Sequence, residues 1–127
     1  MLKDPLPEEI KKNVVWRATY WNPDEAESVY VRSRALVSFE MHSPIIAFSA
    51  GIPAIHLRQP TDTRKGQMWR DVGLNDWLFE IEQSTGQQIG DALMDIHLDY
   101  KKALRKLAAA KEYVQSRQKD SMGLFKK

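Results

Sequence analysis

The sequence predicts one α/β domain with a small doubly wound parallel sheet of about four strands and a long C-terminal helix. Three observations support this fold class. Short β-prone segments alternate with helical ones, and such alternation implies right-handed crossovers between parallel strands. Helix-start signals precede the helical segments, and an apolar stripe at helical spacing runs through the last third of the chain. The length of 127 residues suits a single domain.

Two strands and one helix are predicted before the first histidine. Residues 13–20, NVVWRATY, are rich in β-branched and aromatic side chains and predict the first strand. Asn22 followed by Pro23 combines a capping side chain with proline at the first helical position, so a helix should run to about Arg32. Residues 35–39 predict a short second strand.

A buried helix and a third strand follow. Ser43 and Pro44 repeat the helix-start pattern. The segment 44–50 is apolar around most of its circumference, which is typical of a buried helix. Gly51 suits its C-terminal cap, and residues 53–57, PAIHL, predict the third strand.

The second half of the chain is predicted to be mainly helical. Thr63 is a candidate cap for a helix ended by Gly73, and residues 76–81, DWLFEI, predict the fourth strand. A capping box at Thr85 or the serine before it begins one long helix. Its apolar stripe comprises Ile89, Leu93, Ile96, Tyr100, Leu104 and Leu107. The end of the chain, 119–127, is expected to fray.

Composition excludes several classes of function. The chain has no cysteine, which rules out disulfides, thiolate zinc sites and cysteine catalysis. No apolar run approaches the ~20 residues that span a bilayer. The N-terminal segment MLKDPLPEEIKK lacks the apolar core of a signal peptide. We therefore expect a cytoplasmic protein without a transmembrane segment.

The net charge of +2 conceals an uneven distribution. Residues 1–100 hold 10 basic and 15 acidic side chains, a balance of −5. Residues 101–127 hold 9 basic and 2 acidic side chains, a balance of +7. Because this basic segment has no recognisable binding motif, we interpret it as the solvated face of a helix and expect no nucleic-acid partner.

Polar side chains follow two of the predicted strands. His42 and Ser43 stand where the second strand gives way to a helix. The loop after the third strand is crowded with Arg58, Thr61, Thr63, Arg64 and Lys65. Ligands of an open parallel sheet bind beyond the carboxyl ends of the strands, and helix N-termini there favour anions. We therefore predict a site for a phosphate- or carboxylate-bearing ligand, with anion contacts from Ser43, Arg58, Thr63, Arg64 and Lys65.

The three histidines differ in their surroundings. His42 is either a catalytic or ligand-contacting residue or an ordinary residue of a helix start, and its place on the rim favours the first interpretation. His56 lies between two apolar residues of a strand, which indicates a packed or semi-exposed structural role. His97 lies on the long helix and is also interpreted as structural. Their spacing does not match a metal site, so no metal is expected.

Glu40, two residues before His42, has two interpretations. Its carboxylate either contacts a ligand hydroxyl or pairs with Arg58 or Lys65. The indoles of Trp69 and Trp77 are interpreted as core residues rather than sugar-stacking platforms. The sequence contains no GxGxxG, no P-loop and no GxSxG elbow.

Residues 38–77 carry a resemblance to a known family. The matching segments, in order, are Ser38-Phe39-Glu40-Met41-His42, Gly51-Ile52-Pro53, Lys65, Gly73-Leu74 and Trp77. In this order and spacing, together with a basic C-terminal helix, the chain resembles the C-terminal half of polysaccharide pyruvyl transferases over roughly residues 13–118. The family pattern Ser-x-Arg-x-His has Glu40 in place of its arginine here.

The resemblance implies a Rossmann-like half of a GT-B arrangement that holds the donor. Such enzymes transfer a pyruvyl group from phosphoenolpyruvate to a sugar of a cell-surface polysaccharide, and no cofactor is implied. His42 matches the motif histidine and would exchange a proton, whereas Arg58 and Lys65 would neutralise the departing phosphate. The expected partners are a sugar or polysaccharide precursor and either a missing N-terminal half or a second copy. The chain alone is expected to be inactive.

Two other functions stay open at this point. A nucleotide-sugar-binding half of a GT-B glycosyltransferase or epimerase would use Glu40 on a ribose, and His42 with Ser43 on a diphosphate. A non-catalytic interaction module would dock a partner at a sheet edge or an open face.

Overall fold

The computed structural model describes residues 5–15, 17–62 and 67–125. The helices are α1 Glu8–Lys11, α2 Pro23–Tyr30, α3 His42–Ser49, α4 Met68–Asp71, α5 Gly86–Leu98 and α6 Tyr100–Phe125. The strands are β1 Leu36–Ser38, β2 Ala54–Arg58 and β3 Leu78–Glu80. Short 3-10 turns flank β3 at Asn75–Trp77 and Ile81–Gln83. The expected α/β class, with a small parallel sheet and a long C-terminal helix, is confirmed.

The described strands form one parallel sheet in the order β1-β2-β3. Leu36 of β1 lies opposite Ala54 of β2, and His56 of β2 lies opposite Leu78 of β3. Because all three strands are parallel, their carboxyl ends share one edge of the sheet. The predicted site residues that the structure describes here, His42 and Ser43 after β1 and Arg58 at the end of β2, therefore lie on the same edge.

The strand predicted over residues 13–20 is wrong. Where this segment is described, its backbone forms turns and irregular structure, and Val15 is 95% exposed. The guanidinium of Arg17 donates to the carbonyls of Thr19 and Tyr20. Carbonyls that accept hydrogen bonds from a side chain compete with the hydrogen bonds of a β-sheet, which favours a turn over a strand. The described part of the chain accordingly holds three strands instead of the four expected.

Local capping signals placed two helix ends correctly. Asn22 Oδ1 accepts the N–H of Glu25 at 2.9 Å and starts α2. Gly51 ends α3 with φ at +80°, and the N–H of Ile52 then reaches the carbonyl of Ala47 at 2.8 Å. This hydrogen bond from the residue after the glycine back to the last turn of the helix is typical of a glycine C-cap. Glycine is required because it adopts a positive φ without strain.

The helix predicted after residue 84 is two helices. Thr85 and Gln88 form the capping box that starts α5. The backbone breaks at Asp99, where φ is −128° and ψ is 70°, and the Asp99 carboxylate accepts the N–H of Lys102 at 3.2 Å. A second cap therefore begins α6. The apolar stripe continues across this break, so the spacing of the apolar residues does not reveal the break.

The core lies around β2 and is closed by helices. Trp69 of α4 is fully buried, its indole Nε1–H donates to the carbonyl of Ala54 at 2.9 Å, and its ring packs 5.8 Å from that of Phe48. Trp77 is also buried. The remaining buried apolar side chains of this cluster include Ala47, Ile52, Ile55, Leu57, Leu74, Leu78, Ile96, Ala103, Leu107 and Ala110.

Helix α6 is tied to segments that precede the strands. The hydroxyl of Tyr100 donates to the carbonyl of Arg34, just before β1, at 2.7 Å. Lys106 donates to Asp76, just before β3, at 2.7 Å. The helix continues through Phe125, and fraying of 119–127 stays a prediction. Among the described helices, none is both long and apolar enough to cross a membrane.

Candidate functional site

The carboxylate of Glu40 occupies the N-terminus of α3. Its Oε1 accepts the N–H of His42 at 2.7 Å, and its Oε2 accepts the N–H of Ser43 at 3.0 Å. The first N–H groups of a helix have no intrahelical partner, and the helix dipole favours an anion there. This side chain supplies that anion and makes α3 begin at His42 instead of Pro44. The backbone groups that we expected to bind a ligand therefore bind Glu40.

Neighbouring hydroxyls fix this helix start. Ser38 Oγ accepts the N–H of Glu40 at 3.1 Å and donates to its carbonyl at 2.9 Å, which closes the turn after β1. The hydroxyl of Tyr30, in α2, donates to Ser43 Oγ at 3.0 Å. Ser43 Oγ in turn lies 3.3 Å from Glu40 Oε2. The predicted anion contact Ser43 is thus part of a hydrogen-bonded turn.

Glu40 also contacts the imidazole of His42. The Nδ1 atom of His42 lies 2.5 Å from Oε1 of Glu40. A carboxylate at this distance stabilises the tautomer that carries its hydrogen on Nδ1, which leaves the lone pair on Nε2. The His42 side chain is 75% exposed. Its Nε2 atom is therefore accessible, and it makes no hydrogen bond to a residue in the described ranges.

The carboxyl group of Glu40 stays charged in this setting. Burial raises its pKa, but hydrogen bonds from the backbone N–H groups of His42 and Ser43, with the adjacent imidazole, outweigh burial and lower the pKa from 4.5. Both of its oxygens accept hydrogen bonds from α3. The Glu40 carboxylate therefore has little remaining capacity to accept a hydrogen bond from a ribose hydroxyl. The alternative ion pair between Glu40 and Arg58 is not seen, because Arg58 pairs with Glu80.

Arg58, at the end of β2, belongs to a three-membered ionic cluster. Its Nη1 lies 3.3 Å from Oε1 of Glu80, and Nη2 of Arg70 lies 3.4 Å from the same oxygen. We call these three residues the Arg58–Arg70–Glu80 cluster. Two guanidinium groups share one carboxylate, so the cluster carries one positive charge. It lies on the carboxyl edge that also holds His42.

His56 is packed beneath this edge, so of the packed and semi-exposed positions that the sequence left open the structure shows the packed one. The imidazole is 1% exposed, and neither ring nitrogen hydrogen-bonds to a side chain or backbone group in the described ranges. Burial lowers the pKa of His56 from 6.5, so the ring is neutral at pH 7. An uncharged imidazole is compatible with burial in the central strand, which indicates a structural role.

The rest of the predicted anion loop is described only in part. Thr61 lies in an exposed turn, in which the Asp62 carboxylate accepts the N–H of Gln59 at 2.9 Å. Thr63, Arg64 and Lys65 lie outside the described residues. Their proposed anion contacts stay predictions.

Sequence reasoning missed Tyr30, Arg70 and Glu80. Glu80 stands at the carboxyl end of the predicted strand 76–81, so the same edge rule that selected Arg58 indicates it. Nothing local indicates Tyr30 or Arg70, because each reaches the edge from a helix: Tyr30 from α2, before β1, and Arg70 from α4, between β2 and β3. Their contacts depend on how those helices pack.

Two grooves open along β3. One, of about 720 Å³, is lined by Trp77, Phe79 and Ile96, with aspartates and lysines at its rim. The other, of about 530 Å³, includes Arg70 and Glu80. His42 lines neither of these grooves, and the side chains of Glu40 and His42 are 56% and 75% exposed. Within the described ranges, no group of three or more histidine or acidic side chains is arranged to hold a metal ion.

Comparisons of this chain with protein-family models, with curated proteins and with solved structures give no match. The resemblance carried by the motif therefore stays an expectation.

Proposed function

We propose that this chain is the donor-binding half of a polysaccharide pyruvyl transferase-like enzyme and that the Glu40–His42 pair exchanges the proton. The 2.5 Å contact between Nδ1 of His42 and Oε1 of Glu40 carries this proposal. A carboxylate that orients an imidazole, while its second nitrogen stays accessible, is a common arrangement for general acid–base chemistry.

The proposed role of His42 follows from the bonds and protons that must change places in pyruvyl transfer. The methylene carbon of phosphoenolpyruvate gains a proton, two sugar oxygens bond to its central carbon, and the bond from that carbon to the phosphate oxygen breaks. Protonated His42 donates from Nε2 to the methylene carbon and recovers a proton from one sugar hydroxyl. The other hydroxyl proton leaves with phosphate. Glu40 holds the imidazole in place through its contact with Nδ1, so that Nε2 is the atom that transfers the proton.

The cationic side of the edge is the proposed place for the donor's phosphate and carboxylate. Because Glu40 already occupies the N-terminus of α3, an incoming anion there meets a negative charge. The Arg58–Arg70–Glu80 cluster keeps one positive charge, and in the sequence Arg58 is followed by two further basic residues, Arg64 and Lys65. Guanidinium groups bind phosphate and carboxylate oxygens through paired N–H donors.

Ligand-dependent thermal unfolding tests this proposal. A ligand at ~100 times its dissociation constant adds about 2.7 kcal/mol of stability. We expect phosphoenolpyruvate to stabilise the wild-type chain and to lose this effect in His42→Ala and in Lys65→Ala. His97→Ala is the matched control, because it removes an exposed histidine of α5. This control should respond like the wild type.

Three results would overturn the proposal. Equal stabilisation of the wild type and His42→Ala would show that the donor does not contact this imidazole. Stabilisation by UDP or a UDP-sugar, but not by phosphoenolpyruvate, would favour the nucleotide-sugar function. No response to any of these compounds would favour the non-catalytic interaction module.

A further inference from the structure

The Nε2 atom of His42 has the surroundings of a nucleophile. Nδ1 of the same ring lies 2.5 Å from Oε1 of Glu40, which keeps the hydrogen on Nδ1 and the lone pair on Nε2. The side chain is 75% exposed, and no group in the described ranges hydrogen-bonds to Nε2. Histidine forms covalent intermediates when a neighbouring group orients its ring in this way. A reagent in solution can therefore approach this lone pair directly.

The carboxylate that orients the ring is itself held in place. Its oxygens accept the backbone N–H groups of His42 at 2.7 Å and of Ser43 at 3.0 Å. The hydroxyl of Ser43 lies 3.3 Å from Oε2 of Glu40, and the buried Tyr30 donates its own hydroxyl to Ser43 Oγ at 3.0 Å. Because residues of α2 and α3 fix the carboxylate, the ring that it contacts needs little reorientation before Nε2 attacks.

The charges around the pair favour a phosphoryl group as the electrophile. The Arg58–Arg70–Glu80 cluster carries one positive charge and lies on the same carboxyl edge. The charges of Glu40 and Arg58 both act on the buried imidazole of His56, so the cluster and the Glu40–His42 pair lie near the same part of the sheet. Guanidinium groups attract the anionic oxygens of a phosphoryl group. Glu40 stabilises the positive charge that the ring gains on attack.

We infer that Nε2 of His42 accepts a phosphoryl group from a donor with a good leaving group, such as phosphoramidate. The lone pair of Nε2 forms the bond to phosphorus. The bond from phosphorus to the leaving group breaks, and the leaving group keeps its electron pair. The hydrogen stays on Nδ1, so the product is a phosphoimidazolium paired with the Glu40 carboxylate. This inference goes beyond the proposed function, because pyruvyl transfer breaks a carbon–oxygen bond and leaves no group on the ring.

Phosphoramidate labelling of the full chain tests the inference. The chain has three histidines, of which His56 is shielded at 1% exposure. His97, exposed on α5 and in no ion pair within the described ranges, is the internal control. We expect peptide mass spectrometry to show His42 phosphorylated about tenfold faster than His97 or more. Nitrogen and phosphorus NMR should place the group on Nε2.

Glu40→Gln tests the role of the carboxylate. The amide nitrogen of glutamine can donate to Nδ1, which favours the tautomer with its hydrogen on Nε2 and removes the attacking lone pair. The rate at His42 should then fall to that of His97. Glu82→Gln, at an exposed glutamate after β3, is the matched control and should be labelled like the wild type.

Arg70→Met tests the contribution of the cationic cluster. Loss of its net positive charge should slow the phosphorylation of His42 but leave its reaction with uncharged diethyl pyrocarbonate unchanged. Equal rates at His42 and His97 in the wild type, a phosphoryl group on Nδ1, or an unchanged rate in Glu40→Gln would each overturn the inference. Equal effects of Arg70→Met on the two reagents would overturn the selection of a phosphoryl group. Binding of phosphoenolpyruvate is measured separately, so failure here is distinguishable from failure of the proposed function.

Discussion

Arg58 and Glu80 face each other at the ends of β2 and β3, with Nη1 and Oε1 3.3 Å apart. They are register partners, so their ion pair joins the two strands at the carboxyl edge. Arg70 reaches the same oxygen from α4. The pairing stabilises the edge and also sets the charge that a donor anion would meet.

The two arginines of this cluster should differ in their contribution to stability. The side chain of Arg58 is 20% exposed and that of Arg70 is 46% exposed. Arg58→Met should cost about 1–3 kcal/mol, whereas Arg70→Met should cost about 0–1 kcal/mol, since water screens the more exposed pair. Urea unfolding of both variants, each alone and combined with Glu80→Gln, measures the two couplings. Equal coupling energies would contradict this expectation.

Removal of the Glu40 side chain should destabilise α3. Glu40→Ala leaves the N–H groups of His42 and Ser43 without their acceptor, at a cost of about 1 kcal/mol at pH 7. Glu82→Ala removes an exposed glutamate of the turn after β3 and serves as the control. Its effect should stay within about 0.5 kcal/mol in urea unfolding.

The cost of Glu40→Ala should also depend on pH. Hydrogen bonds from α3 lower the pKa of Glu40 in the folded chain, despite burial, from a value of 4.5. A lowered carboxyl pKa contributes stability that is present above pH 4.5 and is lost as the pH falls through the folded value. The difference between wild type and Glu40→Ala should therefore shrink below pH 4.5. A difference that grows on acidification would refute the capping role.

The buried imidazole of His56 should make the fold sensitive to mild acid. Burial lowers its pKa from 6.5, so below pH 6.5 the unfolded chain binds a proton that the folded chain resists. Stability should fall as the pH falls from 7 to 5. Thermal unfolding across this range should show a weaker dependence for His56→Leu, while the exposed-site control His97→Gln keeps the wild-type dependence. Identical pH profiles for all three chains would rule out this effect.

Replacement of Trp69 should lower the free energy of unfolding by more than the loss of packed volume explains, because the indole also donates a hydrogen bond. Trp69→Phe removes the donor to the carbonyl of Ala54 and leaves a buried acceptor unpaired, at a cost of about 1–3 kcal/mol beyond packing. Trp77→Phe is the matched control, because Trp77 is buried without an indole hydrogen bond to a described residue. Similar losses of unfolding free energy in the two variants would contradict the role of this bond.

Helix starts and ends were the features best predicted from sequence. Asn22-Pro23, Gly51 and Thr85 act within a few residues of their own positions, so the local pattern contains the necessary information. The segment 13–20 failed for the opposite reason. High β-propensity yields a strand only where another strand supplies hydrogen bonds, and this segment has no such neighbour in the described structure.

The sequence predicted the edge of the sheet on which His42 and Arg58 lie, but it did not predict their hydrogen-bond and ion-pair partners. His42 and Arg58 do lie on the carboxyl edge, which follows from parallel strand order alone. The partners differ from expectation: Glu40 turns back onto α3, and Arg58 bonds Glu80, a residue 22 positions away. Pairing over such a separation depends on strand register, which no local pattern encodes.

By itself the sequence determined the α/β class, the main caps and the edge on which the polar residues gather, because these depend on local geometry and on strand direction. Only the tertiary structure decided which charges meet there. A carboxylate binds the nearest unsatisfied donors, and the identity of those donors is known only once the helix and strands have taken their places.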